Sequence, residues 1–424
     1  MAENPGADEV AVIPPMPWMR AAQTQAVMAA LEAAGGAGCA RFVGGCVRNA
    51  VMNRPADDID IATTLLPDQV IAALKAAGLK AVPTGIDHGT VTAVSGGKPF
   101  EVTTLRRDVE TDGRRALVAF TTDWAEDAQR RDFRLNALYC DAEGRLFDPT
   151  GEGLSDAKAG RIVFVGDADT RIREDALRIL RFFRFQAWYG AGEPDAEALS
   201  ACARLKALIT SLSAERVSKE LLKLLAADDP RPTVRLMAAS GVLAVALPEG
   251  RELGRFERLV AIETEQLFQC DPALRLGALL PDDSAVGAAC AERLRLSNAQ
   301  RERLSAMLGT TPVIRSWMSP KEARRDVYTL GAGVFCDRVL LAWAASDRPA
   351  TTTQWRALLP MAQSWPRPTF PLTGEEVMAA GVPRGPLVGA VMREVEAWWI
   401  DNDFISDKLS IVERLKAVAQ GMAY

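Results

Sequence analysis

Apolar and polar positions follow two rules along this chain. Up to about residue 150 the apolar residues come in short runs and alternations punctuated by glycine; from Asp195 onward they recur at helical spacing alone. In the first region Trp18 to Ala34 reads as a helix stopped by Gly35-Gly36, after a Pro-rich and loose stretch from residue 1 to about 17. Ala40 to Val43 reads as a buried strand, Val47 to Met52 as a short helix, and Asp58-Ile59-Asp60 as the start of another strand. Pro67 to Ala77 is an amphipathic helix closed by Gly78. His88 to Val94 and Pro99 to Thr104 form a pair of strands joined by Ser95-Gly96-Gly97. Leu105 to Thr122 is polar, Arg-rich and broken at Asp112-Gly113; no period emerges, which predicts a flexible loop. Trp124 to Leu138 is expected to be helical, and Tyr139-Cys140 with Leu146 to Asp148 to make a short two-stranded turn. Arg161 to Gly166 is strand-like. In Arg171 to Phe185, Ala176, Leu177, Leu180 and Phe183 form one apolar stripe of a helix. Ser213 to Ala226 is a further amphipathic helix, and Pro230 opens the next segment. The pattern predicts a small α+β head followed by an all-α body and tail.

Bulk properties narrow the partners. A chain of 424 residues exceeds one ordinary core, so two to four domains are expected. The net charge of −5 advertises no nucleic-acid partner, so any basic surface is local. Seven scattered cysteines without a CxxC pair point to a reducing cytoplasm and away from zinc or a disulfide framework. The polar, acidic MAENPGADEV does not read as a signal peptide, and the longest apolar run, near Leu236 to Leu247, is too short to span a bilayer. A single histidine, His88, excludes His-based metal clusters; it reads as a structural residue.

The candidate chemistry begins at the turn after the first buried strand. Gly44 and Gly45 allow close backbone approach to a ligand, with the first N–H groups of the following helix facing it, and Arg48 is placed to clamp a phosphate. If Asp58 and Asp60 alternate on a strand, both carboxylates share one face while Ile59 and Ile61 enter the core. Two carboxylates beside a phosphate cradle suit a pair of Mg²⁺ ions, which bind few carboxylates plus substrate phosphates. Glu101, on the strand pair, is a candidate third carboxylate; a solvent-facing edge glutamate is the other reading. Arg131 is placed to reach a triphosphate, and Asp132 and Asn136, one helical turn apart, to face a ribose hydroxyl. Asp175 and Arg178 share a helix face that Arg181 and Arg184 continue; an internal Glu174–Arg178 pair on an ordinary amphipathic helix is the alternative.

Taken together, Gly44-Gly45-Cys46-Val47-Arg48, Asp58-Ile59-Asp60, Arg130-Arg131-Asp132-x-x-x-Asn136-Ala137 and Glu174-Asp175-x-x-Arg178-x-x-Arg181 resemble the motifs of the class II tRNA CCA-adding enzymes and bacterial poly(A) polymerases. The family's GG-x-VRD pattern departs here at Asn49, and its usual glycine is replaced at Asn53-Arg54. The resemblance covers about residues 40 to 190, extends to about 250, and returns over 372 to 408, where Leu372-Thr373-Gly374 and Gly381 to Gly389 match a tail stretch.

The resemblance implies a nucleotidyltransferase head over 36–150, after an extension and helix over 1–35. A helical neck with the base-reading helix would cover 151–250, and an all-helical, tRNA-contacting body and tail 251–424. It implies template-independent transfer of CMP and AMP from CTP and ATP to the 3′ end of tRNA. Asp58, Asp60 and Glu101 would be catalytic, the first two as Mg²⁺ ligands. Gly44, Gly45, Arg48, Arg131, Asp132, Asn136, Asp175, Arg178, Arg181 and Arg184 would bind the nucleotide. A mobile loop over 105–122 would handle the nucleotide and the tRNA end. The lone histidine argues against the His-Asp phosphohydrolase domain that some relatives carry. Poly(A) synthesis, or addition of C or A alone, would use the same head; Gly85-Ile86-Asp87-His88 in place of a basic Gly-Arg-Arg-Phe run favours CCA addition. A catalytically dead RNA-binding protein is disfavoured by Asp58, Asp60 and Arg131.

Overall fold

A computed structural model describes residues 9–56, 58–112, 115–346, 352–405 and 407–421, with the backbone alone for 108–118. Gly113 and residues 1–8 lie outside the described residues. The chain divides into two compact units, Met1–Pro248 and Glu249–Tyr424.

The first unit is built on one mixed sheet. Its strands are β1 (Glu9–Val12), β2 (Ala40–Val43), β3 (Asp60–Thr63), β4 (Lys80–Gly85), β5 (Thr90–Ser95), β6 (Lys98–Thr104), β9 (Tyr139–Cys140) and β10 (Arg145–Phe147), while β7 (Arg106–Asp112) and β8 (Arg115–Phe120) pair separately. The order across the sheet is β1-β10-β9-β2-β3-β6-β5-β4. Only β3 and β6 run parallel. The centre of the sheet is apolar on both faces: Phe42, Val43, Ile61, Ala62, Val91 and Val102 are all buried. Behind it stand the helices Ala22–Gly35 and Pro67–Ala76.

Several expectations need correction. The stretch expected to be loose at the N-terminus contains β1, which closes the sheet edge by pairing with β10. The predicted helix from Trp18 is broken at Ala21 into Pro17–Arg20 and Ala22–Gly35. Within the stretch expected to be a flexible loop, Arg106–Asp112 and Arg115–Phe120 pair as antiparallel strands, β7 and β8, with an irregularity between Asp108 and Glu110 that spoils any alternation in the sequence. The helix opening at Trp124 stops at Gln129. Beyond it, Asp132 and Arg134 give their backbone groups to another segment: Val165 N–H donates to the Asp132 carbonyl at 3.1 Å and Arg134 N–H to the Val163 carbonyl at 3.0 Å. Phe133 is therefore extended and forms a bridge to Phe164, and a single 3-10 turn, Arg134–Asn136, follows. Arg161 to Gly166 contributes that bridge rather than a strand.

The expected helix Arg171–Phe185 is two helices, Ala168–Glu174 and Leu177–Tyr189, separated at Asp175, whose backbone is extended (φ −149°, ψ 104°). The apolar stripe of the second carries Phe182 and Phe185, whose rings meet Phe164 and Phe133 at centroid distances of 6.1 and 5.0 Å. These contacts fix the second helix against the head. Ala214–Leu225, as expected, is amphipathic and buries Val217, Leu221, Leu224 and Leu225.

The second unit is all-helical among its described residues. Its terminal part has a core of Val377, Val391, Val395, Trp399, Ile411 and Leu415. No single described helix is long and apolar enough to cross a membrane.

Candidate active site

Three carboxylates converge where β3 and β6 run side by side. Asp60 opens β3, and its register partner on the parallel β6 is Glu101. Register partners on adjacent strands project from the same face, with strands ~4.8 Å apart. Ile59 and Ile61, the alternate positions, are 2% and 0% exposed, so Asp60 is turned out of the core as expected. Asp58 sits two residues before the strand rather than on it, exposed, and is close enough for its charge to act on Asp60. Burial first, then the Glu101 and Asp58 charges, push the Asp60 carboxyl up to about 6, against the opposing pull of Arg131.

Beside the carboxylates lies the Gly44-Gly45 turn. Gly44 has φ +71°, a conformation that costs an L side chain strain, and a Cβ there would stand 3.7 Å from Arg131 Nη1. A glycine thus keeps open the space in front of that guanidinium. Arg131 itself is held from behind: Nη2 donates to Asp127 Oδ2 at 2.9 Å and Nε to the Tyr139 hydroxyl at 3.2 Å. Neither Asp127 nor Tyr139 was among the sequence candidates. The i,i+4 spacing of Asp127 and Arg131 was the available signal; the pair forms although the helix stops at Gln129 and Arg131 lies just beyond its cap.

Arg48 does not present a free fork to a phosphate. It is 6% exposed and its donors are spent inside the protein. Nη1 donates to Asn136 Oδ1 (2.6 Å), Nε and Nη2 to Asn49 Oδ1 (3.1 and 2.8 Å), and Nη2 also to the Tyr189 hydroxyl (2.8 Å), with the guanidinium over the Tyr189 ring at 3.9 Å. Asn49 Nδ2 in turn donates to the Pro55 carbonyl, tying down the loop that leads to Asp58.

Asp132 and Asn136 do meet, although not on a helix: Asn136 Nδ2 donates to Asp132 Oδ1 at 2.9 Å. Arg181 Nε donates to Asp132 Oδ2 at 2.8 Å. Burial would raise the Asp132 carboxyl, but the Arg181 charge and the hydrogen bonds from Asn136 and Arg181 outweigh it and hold it at about 2.

Asp175 and Arg178 are not paired with each other. Asp175 Oδ1 accepts from Leu177 N–H (3.1 Å) and Oδ2 from Arg216 Nη2 (2.7 Å). Arg178 Nη1 donates to Glu174 Oε2 (2.5 Å) and the Arg171 carbonyl (2.7 Å), so the internal Glu174–Arg178 pair is present. Arg184 Nε donates to Glu220 Oε2 at 2.5 Å. Arg216 and Glu220, one turn apart on Ala214–Leu225, were missed because their partners lie on a different helix.

Residues 40–163 match the model of the Poly A polymerase head domain, and residues 193–253 that of the "Probable RNA and SrmB- binding site of polymerase A". The mitochondrial CCA tRNA nucleotidyltransferase 1 of Mus musculus is 32% identical over 386 residues, spanning 89% of this chain and 86% of its own. This chain belongs to the CCA-adding tRNA nucleotidyltransferase family. A bacterial member, the CCA-adding enzyme of Levilactobacillus brevis, is 31% identical over 88% of this chain and 92% of its own. The solved Bacillus stearothermophilus CCA-adding enzyme in complex with CTP shares the fold with a TM-score of 0.75 at 24% identity, covering 95% of this chain and 98% of that one. The Thermotoga maritima CCA-adding enzyme complexed with tRNA superposes with a TM-score of 0.68 at 19% identity, covering 96% and 99%. The family's head over 40–163 contains the three carboxylates, the glycine turn and Arg131.

Proposed function

We propose that this chain adds C, C and A to the 3′ end of tRNA, using CTP and ATP and no nucleic-acid template. The observation that carries the reading is the convergence of Asp58, Asp60 and Glu101 beside Arg131 and the Gly44-Gly45 turn, in a chain of this family. The 3′-hydroxyl of the tRNA gives up its proton and attacks the α-phosphorus. The new O–P bond forms, the bond to the β-phosphate oxygen breaks, and pyrophosphate leaves. Arg131 and the glycine turn would hold the triphosphate, and Asp132 with Asn136 the ribose. Arg48 would keep Asn136 in place. Asp175 and Arg178 would meet the amino group and ring nitrogen common to cytosine and adenine on exchanging their present partners, Arg216 and Glu174.

The donor set fits Mg²⁺. Burial first, and then the Glu101 and Asp58 charges, make Asp60 resist ionisation, and a dication bound to these hard carboxylate oxygens would offset both. Among the described residues no group of three His, Cys, Asp or Glu side chains is placed to hold an ion by itself. That suits Mg²⁺, which takes one or two carboxylates and completes its shell with substrate phosphates and water. Bound on Asp58 and Asp60, it would make the attacking hydroxyl more acidic and offset charge on the leaving oxygens. All seven cysteines are free and five are buried, which suits a reducing cytoplasm.

The test is to offer the purified protein a tRNA lacking its last three nucleotides, with CTP and ATP singly and together, and to sequence the products. The expected products are CC with CTP alone and CCA with both. Long A runs from ATP alone would make it a poly(A) polymerase, and products stopping at CC or needing a preformed CC end would make it a partial enzyme.

A further inference from the structure

Asp127 is a buried acid, 1% exposed, placed behind the triphosphate site and not in it. Both its oxygens are occupied. Oδ2 accepts from Arg131 Nη2 (2.9 Å), Arg131 Nε (3.3 Å) and the Tyr139 hydroxyl (2.7 Å). Oδ1 accepts from Arg130 Nε (2.8 Å) and from the backbone N–H of Arg106 (3.2 Å), the first residue of the β7–β8 hairpin. Tyr139 packs edge-on against Trp124 at 5.2 Å, in an apolar cluster with Val43, Ala62 and Leu105, so the hydroxyl has little freedom to move. With Nε and Nη2 engaged from behind, the remaining terminal nitrogen of Arg131, Nη1, faces the Gly44 turn. Among the described residues Nη1 has no hydrogen-bond partner.

We propose that Asp127 is a positioning residue for nucleotide binding: it aims Arg131 Nη1 at the triphosphate, and through Arg106 it ties that aim to the base of the β7–β8 hairpin. The inference rests on the reading of Arg131 as a triphosphate ligand. Burial alone would neutralise Asp127, but Arg131, Arg130 and the Tyr139 hydrogen bond outweigh it and hold the carboxyl at about 2, so it stays ionised at working pH. Anchoring through two nitrogens also explains why an arginine serves here: a lysine carries its three donors on one freely rotating nitrogen and cannot be held by one while aiming another.

Asp127→Asn keeps the volume but turns one oxygen into a donor facing arginine N–H groups. Equilibrium binding of CTP, of inorganic pyrophosphate and of cytidine, each with Mg²⁺, is measured by calorimetry on the full chain. The expected result is that CTP and pyrophosphate both weaken by about tenfold, the scale of one charge-assisted hydrogen bond, while cytidine is unchanged. Arg131→Ala combined with Asp127→Asn should bind no more weakly than Arg131→Ala alone, because both act through one guanidinium. If Asp127→Asn fails to fold, Tyr139→Phe should weaken pyrophosphate in the same direction by less. Wild-type pyrophosphate affinity in a folded Asp127→Asn or Tyr139→Phe, additive losses in the double variant, or equal weakening of cytidine would each overturn the proposal. Because binding is read apart from turnover, a wild type that binds CTP but fails to extend tRNA would overturn the functional reading and leave this one standing.

Discussion

At the scale of single residues, the charge on Asp60 sets function against stability. Its folded-state carboxyl lies at about 6, above the ordinary 3.8, because it is buried and faces Glu101 and Asp58. The folded protein therefore holds that proton more tightly than the unfolded chain. Between about pH 4 and 6 the fold binds the extra proton, so stability falls as pH rises through that window, and the full penalty stands above it. A shift of two units corresponds to about 3 kcal/mol. Asp60→Asn should accordingly stabilise the metal-free protein by up to about 3 kcal/mol at pH 7.5 and leave it unchanged near pH 4, as read by urea unfolding at the two pH values. The same variant, and Asp58→Ala, should abolish nucleotide transfer. Glu101→Gln should move the Asp60 titration downward, visible by carboxyl NMR. An unmoved Asp60 would mean that Glu101 contributes nothing at this position.

At the scale of elements, what was legible depended on whether local pattern and tertiary pairing agreed. Strand β2, the glycine turn and the Pro67–Ala76 helix were legible because propensity, punctuation and burial all pointed one way. Asp132 and Asn136 were read as partners through a helix that is not there. They meet because Asp132 and Arg134 gave their backbone groups to Val165 and Val163, partners far along the chain that local periodicity does not encode. The β7–β8 hairpin escaped notice because it forms a two-stranded sheet of its own with an irregular register. Asp175 and Arg178 were assigned to one continuous helix, yet the chain breaks at Asp175, whose side chain then caps Leu177. That break frees Asp175 from its helix while Arg178 stays engaged with Glu174. If Arg178 exchanges Glu174 for the incoming base, Arg178→Ala should lower CTP and ATP incorporation and relax discrimination against UTP and GTP. Arg181→Ala and Arg184→Ala remove partners of Asp132 and Glu220 and should lower rate without changing base choice. Incorporation of all four triphosphates by the three variants decides it; unchanged selectivity in Arg178→Ala would move base reading elsewhere.

At the scale of the whole molecule, each unit contains a core cluster of its own: Val43, Ala62, Leu105 and Tyr139 in the first, and Val377, Val391, Val395 and Trp399 in the second. Trp399 shows it most directly. It is 2% exposed, which makes it a packing residue and not a platform for stacking a base. Its ring meets Tyr328, Phe370 and Phe404 at centroid distances of 5.7, 5.3 and 5.0 Å, and its Nε1 donates to the Ile405 carbonyl at 2.9 Å. All of these partners belong to Glu249–Tyr424. Trp399→Ala removes the largest side chain of that cluster and leaves a cavity, at a cost of about 3–5 kcal/mol. The carboxylates, the glycine turn and Arg131 all belong to Met1–Pro248, where the cluster of Val43, Ala62, Leu105 and Tyr139 lies. Calorimetry should then show one unfolding transition moved to lower temperature and a second unmoved. If the tail holds tRNA, as the family resemblance implies, the KM for tRNA should rise while CTP affinity stays at the wild-type value. A parallel loss of CTP affinity would mean that the tail core supports the nucleotide site as well, and that the two units work as one cooperative body.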